Sequence, residues 1–211
     1  MLGRGRPLYL HRGDLRTAVP ALERGLELGR TWDTWLWFPW LATCLGAAYA
    51  LQGRIQEGLP LLEQAVERAA SMKRMGGHAW RLVALSRAYA LGERLGHAIE
   101  LGRRALDLAR HHGERANEAW ALQLLAEIAL RSDPPDIEQA QGYARQALMR
   151  AEELGMRPLA AHCHLALGQI HRRAASPAGA ERHLTTALGL YREMDMRLWV
   201  VEGEEALRDL R

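Results

Sequence analysis

The residues with the clearest capacity for chemistry lie close together near the C-terminal end: His162, Cys163, His164 and His171. Imidazole nitrogen and thiolate sulfur are the ligands that zinc prefers in proteins. Their spacing is unfavourable, because on one helix His162 and Cys163 point to different sides, and His164 and His171 are two turns apart. The sequence therefore predicts no metal site, and we interpret His171 as a packing residue.

No other group of residues predicts a catalytic site. Asp and Glu total 25 residues, but no pair lies in an apolar setting that would tune it for acid–base catalysis. His111 and His112 end a predicted helix without a nucleophile or base partner. The phosphate-binding pattern G-x-x-x-x-G-K-[ST] is absent. We therefore expect a protein that is not an enzyme and needs no cofactor.

The charge pattern argues against a nucleic-acid partner. The formal net charge is +3, and Arg is scattered among Glu along nearly every predicted helix. A nucleic-acid-binding domain usually concentrates its basic residues on one face. Residues 4–7, Arg-Gly-Arg-Pro, resemble a short minor-groove-binding core. A single copy without flanking basic residues favours a poorly structured terminus instead.

Apolar runs and cysteines bear on the expected location of the protein. No run reaches the roughly 18 apolar residues of a membrane span, and residues 1–12 are too polar for a secretory signal. Cys44 and Cys163 do not make a disulfide framework. We expect a cytoplasmic protein that neither spans nor binds a membrane.

The tryptophans have a regular spacing. Trp40, Trp80 and Trp120 are 40 residues apart, and His162 continues the series. Two interpretations stay open: the rings line a binding surface, or they fill gaps between neighbouring repeats. A second cluster, residues 35–38 with Trp32, either joins two repeats as a hydrophobic staple or forms an exposed contact patch.

The tryptophans follow a repeat that covers nearly the whole chain. Pairs of small residues, seven positions apart, recur at steps of 40, 40, 42 and 40. A period in this range is typical of helical-repeat proteins, whose stacked units share one core. The pairs are Ala18/Gly25, Gly58/Ala65, Ala98/Ala105, Ala140/Ala147 and Ala180/Ala187.

Each repeat is predicted to form two helices, since apolar residues recur at helical spacing and strand-like alternation is absent. Small residues would let the two helices of a hairpin approach closely. In each first helix a leucine precedes the small residue and would fill the core, and these small residues are Gly46, Ser86, Ala126 and Gly168. Asp14 and Ser176 are expected N-caps. The predicted helices are Asp14–Arg30, Pro39–Gln52, Arg54–Ser71, His78–Leu91, Arg94–His111, Asn117–Arg131, Pro135–Leu154, Arg157–Arg173, Pro177–Glu193 and Arg197–Arg211.

The pattern Leu45-Gly46, Tyr49, Gly58 and Ala65 resembles the tetratricopeptide repeat, although the usual period is 34. The resemblance implies an all-α fold, a right-handed α-solenoid of about five hairpins with a capping helix. Residues 1–211 would form a single domain, with 1–13 poorly structured or a partial helix, 14–196 the repeats and 197–211 the cap. Residues 153–159 and 191–196 resemble the C-terminal repeats of bacterial cyclase/STAND-ATPase signalling proteins.

In that family the first helices line a concave groove, which the resemblance carries over to this chain by position. The implied groove is apolar towards the N-terminal half and cationic at the C-terminal end. It favours a protein or peptide partner with apolar anchors and an acidic group. The candidate residues are Trp40, Trp80, Trp120, His162, Thr43, Val83, Gln123, Arg87, Glu127, Gln169, Arg131, Arg172 and Arg173.

The expected function is therefore a non-enzymatic interaction module that docks a peptide or helix, in bacterial signalling or regulation. The alternative is a regulatory sensor for a small ligand or signal peptide. The two ends are expected to differ. In the cap, Leu198, Val201, Ala206 and Leu210 are predicted to face inward. A weak first helix would instead leave apolar surface of 14–30 open, which favours either a homo-oligomer through that end or a further domain upstream.

Overall fold

The regular structure is entirely helical in the part of the chain that the computed structural model describes, residues 13–31, 35–72 and 76–210. A short 3-10 helix, Trp35–Trp37, precedes the second α-helix. The α-helices are α1 (Leu15–Thr31), α2 (Phe38–Leu51), α3 (Ile55–Ser71), α4 (His78–Leu91), α5 (Leu95–His111), α6 (Arg115–Arg131), α7 (Ile137–Glu153), α8 (Arg157–Arg173), α9 (Pro177–Glu193) and α10 (Arg197–Arg208).

Each predicted helix is present, and the ends differ by a few residues for local reasons. The start of α7 falls after Pro135, because the Asp136 carboxylate accepts the Gln139 N–H at 2.9 Å and caps the helix there. Asp14 caps α1 in the same way, accepting from the Thr17 N–H at 3.2 Å. Ser176 precedes α9 as predicted, but its hydroxyl makes no capping bond.

The turns of three hairpins, α2–α3, α4–α5 and α8–α9, share one backbone geometry. In each of them a residue with positive φ follows the first helix, and the next N–H bonds to a carbonyl five residues back, as in Arg54 to Tyr49 at 2.9 Å. The turn between α6 and α7 is different, since none of its residues has positive φ. Gly53 takes this position in one turn with φ of 78°, but Ala175 takes it in another with φ of 54°. Only glycine adopts this conformation without a steric penalty.

Ala175→Gly should therefore raise the free energy of unfolding by about 0.5–1 kcal/mol, since relief of the left-handed strain exceeds the added chain entropy. The adjacent Ala174 has φ of −82°, so Ala174→Gly should instead lower stability by a similar amount. Urea denaturation of both variants measures the difference, and equal effects of the two substitutions would contradict the turn geometry.

The chain divides into two compact units, Met1–Leu108 and Ala109–Arg211. In the first unit, α1 packs on α2, α2 on α3 and α4, and α3 on α4 around a core that includes Leu22, Leu45 and Tyr49. In the second, consecutive helices from α6 to α10 pack on each other, and α6 also packs on α8. Two clusters form its core, one around Ile170 and one around Tyr191.

Small residues stand where helices cross closely, as predicted. A Cβ added to Gly58 would lie 2.7 Å from the Gly46 carbonyl oxygen, and one added to Gly46 would lie 2.7 Å from Leu62 Cγ. At the equivalent crossing of the next hairpin, the Ser86 hydroxyl donates to the Ala98 carbonyl at 2.7 Å. The leucines that precede these sites, Leu45, Leu85, Leu125 and Leu167, are all buried.

The last helix is oriented differently from the prediction. Leu198 and Val201 are exposed, by 37% and 55%, whereas Ala206 is buried and Leu210 packs on the core. The inward stripe instead contains Trp199. The reason is size, because the Trp199 ring covers more of the Tyr191 cluster than two aliphatic side chains on the other face would.

The first described helix does not have an open apolar face. Leu15, Ala18, Val19, Leu22 and Leu26 are buried, although Leu28 is 48% exposed. The predicted partial helix and the Arg-Gly-Arg-Pro segment, all within residues 1–12, lie outside the described residues, as does Trp32. Of the nearby aromatic cluster, Phe38 is buried under the Arg68 guanidinium, 4.4 Å from its ring centre, and Trp37 is exposed. Among the described helices, none combines the length and apolar character needed to cross a membrane.

Candidate functional site

A pocket opens in the second unit between α6, α8 and α10. It encloses about 200 Å³. The helices α6 and α8 are the first helices of two successive hairpins. The pocket therefore lies on the side formed by first helices, where the resemblance to the tetratricopeptide repeat predicts a groove. Its lining residues are Glu127, Leu130, Arg131, Leu165, Ala166, Gln169, Arg172, Arg173 and Glu202, and we call it the arginine pocket.

The charges of the arginine pocket are partly organised by neighbouring side chains. Gln123 donates to the Glu127 carboxylate at 2.6 Å, and Arg172 donates to Asp209 at 2.9 Å. Arg173 is exposed and makes no hydrogen bond or ion pair with another described residue. The rim therefore offers one guanidinium whose five donors remain available for a carboxylate.

Five of the predicted groove residues meet at the arginine pocket: Glu127, Arg131, Gln169, Arg172 and Arg173. The others lie elsewhere, and Arg87, Trp40 and Trp80 belong to the first unit. There both tryptophans are half-buried and pack against the core cluster, as the gap-filling interpretation expects. Their half-exposed faces still leave surface for a partner.

Four predicted groove residues are buried, and this corrects their assignment to the groove surface. They are Thr43 and Gln123 with no exposed surface, Val83 at 5% and His162 at 7%. The Thr43 hydroxyl donates back to the Pro39 carbonyl at 2.6 Å, within its own helix. The physical reason is that neighbouring helices cover these positions, so their side chains present little to a partner.

His162 instead belongs to an aromatic cluster that supports the last three helices. Its ring centre lies 5.8 Å from that of Trp120, 5.4 Å from Tyr191 and 4.6 Å from Trp199. The Tyr191 hydroxyl and His162 Nδ1 are 2.9 Å apart and share a hydrogen bond. Trp120 is thus half-buried against His162, and this cluster holds α8, α9 and α10 together.

Two residues at or beside the pocket escaped the sequence analysis, although the repeat contains a signal for them. Glu202 lies 40 positions after His162, and Asp209 lies 40 positions after Gln169. Both lie in the segment interpreted only as a cap. Continuing the groove positions into that helix would have identified Glu202, which lines the pocket, and Asp209, which pairs with Arg172.

A tyrosine–glutamate hydrogen bond recurs at the same position in two successive repeats of the first unit. Tyr49 donates to Glu23 at 2.6 Å and Tyr89 to Glu63 at 2.5 Å, each from a first helix to the second helix of the preceding repeat. The hydrogen bond to Glu63, together with burial, raises the pKa of Tyr89. Burial, then the hydrogen bond to Glu23, raises the pKa of Tyr49.

Stability should therefore fall at high pH. Because the folded-state pKa of Tyr89 lies above the usual value of about 10, its contribution is complete below pH 10 and is lost as pH rises towards the folded-state pKa. We expect the free energy of unfolding of the wild type to decrease as the pH rises above about 10. The Tyr49→Phe/Tyr89→Phe variant should show a shallower decrease in urea titrations. An unchanged slope would contradict the prediction.

The buried Cys163 does not form a site with the histidines beside it. Burial, with smaller effects from Glu127 and Glu152, raises the pKa of the Cys163 thiol well above its usual range. At neutral pH the thiol is therefore protonated, which opposes both metal ligation and nucleophilic attack.

Comparisons with known proteins support the fold at a coarse level. No family model matches this chain, and no curated protein matches it. The described fold belongs to the class of all-helical, repeat-like proteins. Among solved structures it is similar to BtubC (BKLC) from P. vanneervenii, with a TM-score of 0.66 and 17% sequence identity over 98% of this chain and 84% of that chain. At this identity the similarity concerns the fold alone.

Proposed function

We propose that this protein is a non-enzymatic binding module of the tetratricopeptide type, a right-handed α-solenoid that docks a segment of a partner protein at the arginine pocket. The observation that carries the proposal is the meeting of five predicted groove residues in one concavity between α6, α8 and α10. The packing of consecutive helices, with α6 also on α8, is consistent with stacked hairpins.

The chemistry of the pocket favours a peptide with an acidic group. Arg173 is available on the rim, and the apolar wall contains Leu130 and Leu165. An acidic side chain could pair with Arg173 while a neighbouring apolar side chain contacts the leucines.

The size of the pocket favours a peptide over a separate small ligand. Sites for drug-sized molecules usually enclose about 300–1,000 Å³, whereas the arginine pocket encloses about 200 Å³. That space accepts one or two side chains of a longer segment. We therefore place the regulatory sensor of small molecules second.

The wider context is also part of the proposal. We place the protein in the cytoplasm and in bacterial signalling or regulation, because its sequence resembles the repeat region of cyclase/STAND-ATPase proteins. Association of two copies through the N-terminal end stays a prediction, and the exposed Leu28, Leu36 and Trp37 are consistent with it. Light scattering at increasing concentration tests it, since a constant monomer mass would contradict it.

Selection of binders from a random peptide library tests the docking proposal. We expect selected peptides to carry an acidic residue beside apolar ones. Their affinity should fall about fivefold in Arg131→Gln/Arg173→Gln, because both arginines are exposed and a charge pair there is worth up to about 1 kcal/mol. Fluorescence anisotropy with labelled peptides measures the affinity.

The matched control removes two arginines from the second helices of the same unit. Arg145 and Arg182 are exposed on α7 and α9 and do not line the pocket. Arg145→Gln/Arg182→Gln has the same net charge as the pocket variant, so it reports the general effect of charge. Equal affinities for the two variants, with both folded by circular dichroism, would overturn the assignment of the pocket.

A further inference from the structure

Three histidines meet on the side of the second unit formed by α8 and α9. His164 and His171 lie two turns apart on α8, and His183 of α9 lies between them. The ring centre of His183 is 5.2 Å from that of His164 and 5.4 Å from that of His171, on which it stacks at 14°. His183 lies on the next helix, so the spacing of the histidines along α8 gives no sign of it.

The closest atoms of this cluster are two ring nitrogens. His164 Nδ1 and His183 Nδ1 are 2.9 Å apart, and both side chains are half-buried, so solvent reaches the edge of the pair. Two imidazole nitrogens that bind one ion at about 2.05 Å lie about 2.9 Å apart at a right angle and about 3.3 Å apart in a tetrahedron. The observed separation fits the first geometry and is within a side-chain adjustment of the second.

We propose that His164 and His183 bind one divalent transition-metal ion of the class that prefers imidazole, such as Zn²⁺ or Ni²⁺, through their Nδ1 atoms. Neither histidine lines the arginine pocket, so this site is separate from the proposed docking function. In the described part of the chain, no group of three His, Cys, Asp or Glu side chains converges on one position. Water therefore completes the coordination, and affinity depends on both histidines.

The surroundings set the charge balance of the site. Glu152 of α7 acts on His164 with a negative charge, which favours a bound cation. Near His183, the positive charges of Arg145 on α7 and Arg182 on α9 disfavour a bound cation, and the rings of His164 and His171 act in the same direction. Burial, followed by His164 and His171 and then by the two arginines, lowers the pKa of His183 to about 4, and burial lowers the pKa of His164. Both rings are consequently neutral at pH 7, the form that binds metal.

Calorimetric titration of the full chain with Zn²⁺ at pH 7.5 tests the site, with Mg²⁺ as the control ion. We expect one equivalent of Zn²⁺ to bind and to raise the melting temperature, and Mg²⁺ to do neither. His183→Gln and His164→Gln should each weaken Zn²⁺ binding at least about tenfold. In the control His111→Gln/His112→Gln, which removes an exposed histidine pair, binding should persist.

A spectroscopic measurement on the wild type keeps the test independent of how the variants fold. In nitrogen-15-labelled protein, Zn²⁺ should shift the Nδ1 resonances of His164 and His183 more than those of His111 and His112. Absence of these shifts, or Zn²⁺ binding by His183→Gln as tight as that of the wild type, would overturn the proposal. Either result would mean that His164 and His183 share a hydrogen bond and do not bind a metal ion.

Discussion

Gly58→Ala will lower the free energy of unfolding by about 2–3 kcal/mol, the upper part of the range for overpacked positions. The new Cβ would lie 2.7 Å from the Gly46 carbonyl oxygen, a backbone atom that cannot turn aside as a side chain can. The helices α2 and α3 would have to separate, which also weakens contacts of the buried Leu62. Urea denaturation followed by circular dichroism measures the loss.

Two other helical glycines provide matched controls. A Cβ added to Gly142 or to Gly189 meets no atom within 4 Å, and both residues lie inside exposed faces of helices. Gly142→Ala and Gly189→Ala should therefore raise stability by about 0.5–1 kcal/mol, because alanine loses less conformational entropy in a helix. If Gly58→Ala behaved like these controls, the close crossing of α2 and α3 would be incorrect.

The second large effect is expected at Tyr191, which is fully buried between His162 and Trp199. Tyr191→Ala should lower the free energy of unfolding by about 3–5 kcal/mol, the usual cost of removing a large buried aromatic ring. Tyr191→Phe keeps the ring and removes the hydroxyl with its hydrogen bond to His162 Nδ1. It should lower stability by about 1 kcal/mol.

The difference between these two variants separates packing from hydrogen bonding. Val201→Ala on the exposed face of α10 serves as the control and should change stability by less than about 0.5 kcal/mol. A loss in Tyr191→Phe as large as that in Tyr191→Ala would show that the hydrogen bond dominates. A loss at Val201 comparable to that at Tyr191 would contradict the orientation of α10 described above.

The helices and their close crossings were predictable because the repeat samples the same position several times. A single Gly46 could have many explanations, but Gly46, Ser86, Ala126 and Gly168 at one position indicate a place with room only for a small side chain. All are buried in the structure. The same comparison predicted the buried leucines, since local spacing determines which face of a helix is apolar.

The candidate site was predictable only in part. Position along the repeat identified Arg131, Gln169 and Arg173 as neighbours, and they meet in the arginine pocket. It did not distinguish them from Gln123, which lies on α6 with Arg131 but is covered by packing. A helical period gives the direction of a side chain, whereas its exposure depends on what packs against it.

The sequence alone determined the helical class, the approximate bounds of the helices and the positions that must be small, because these depend on spacing along one chain. Only the tertiary structure decided which groove positions are open, which face of α10 turns inward, and that His183 approaches His164 to 2.9 Å. Those features depend on distances between different helices. Such distances follow from the packing of whole side chains, which a sequence period does not specify.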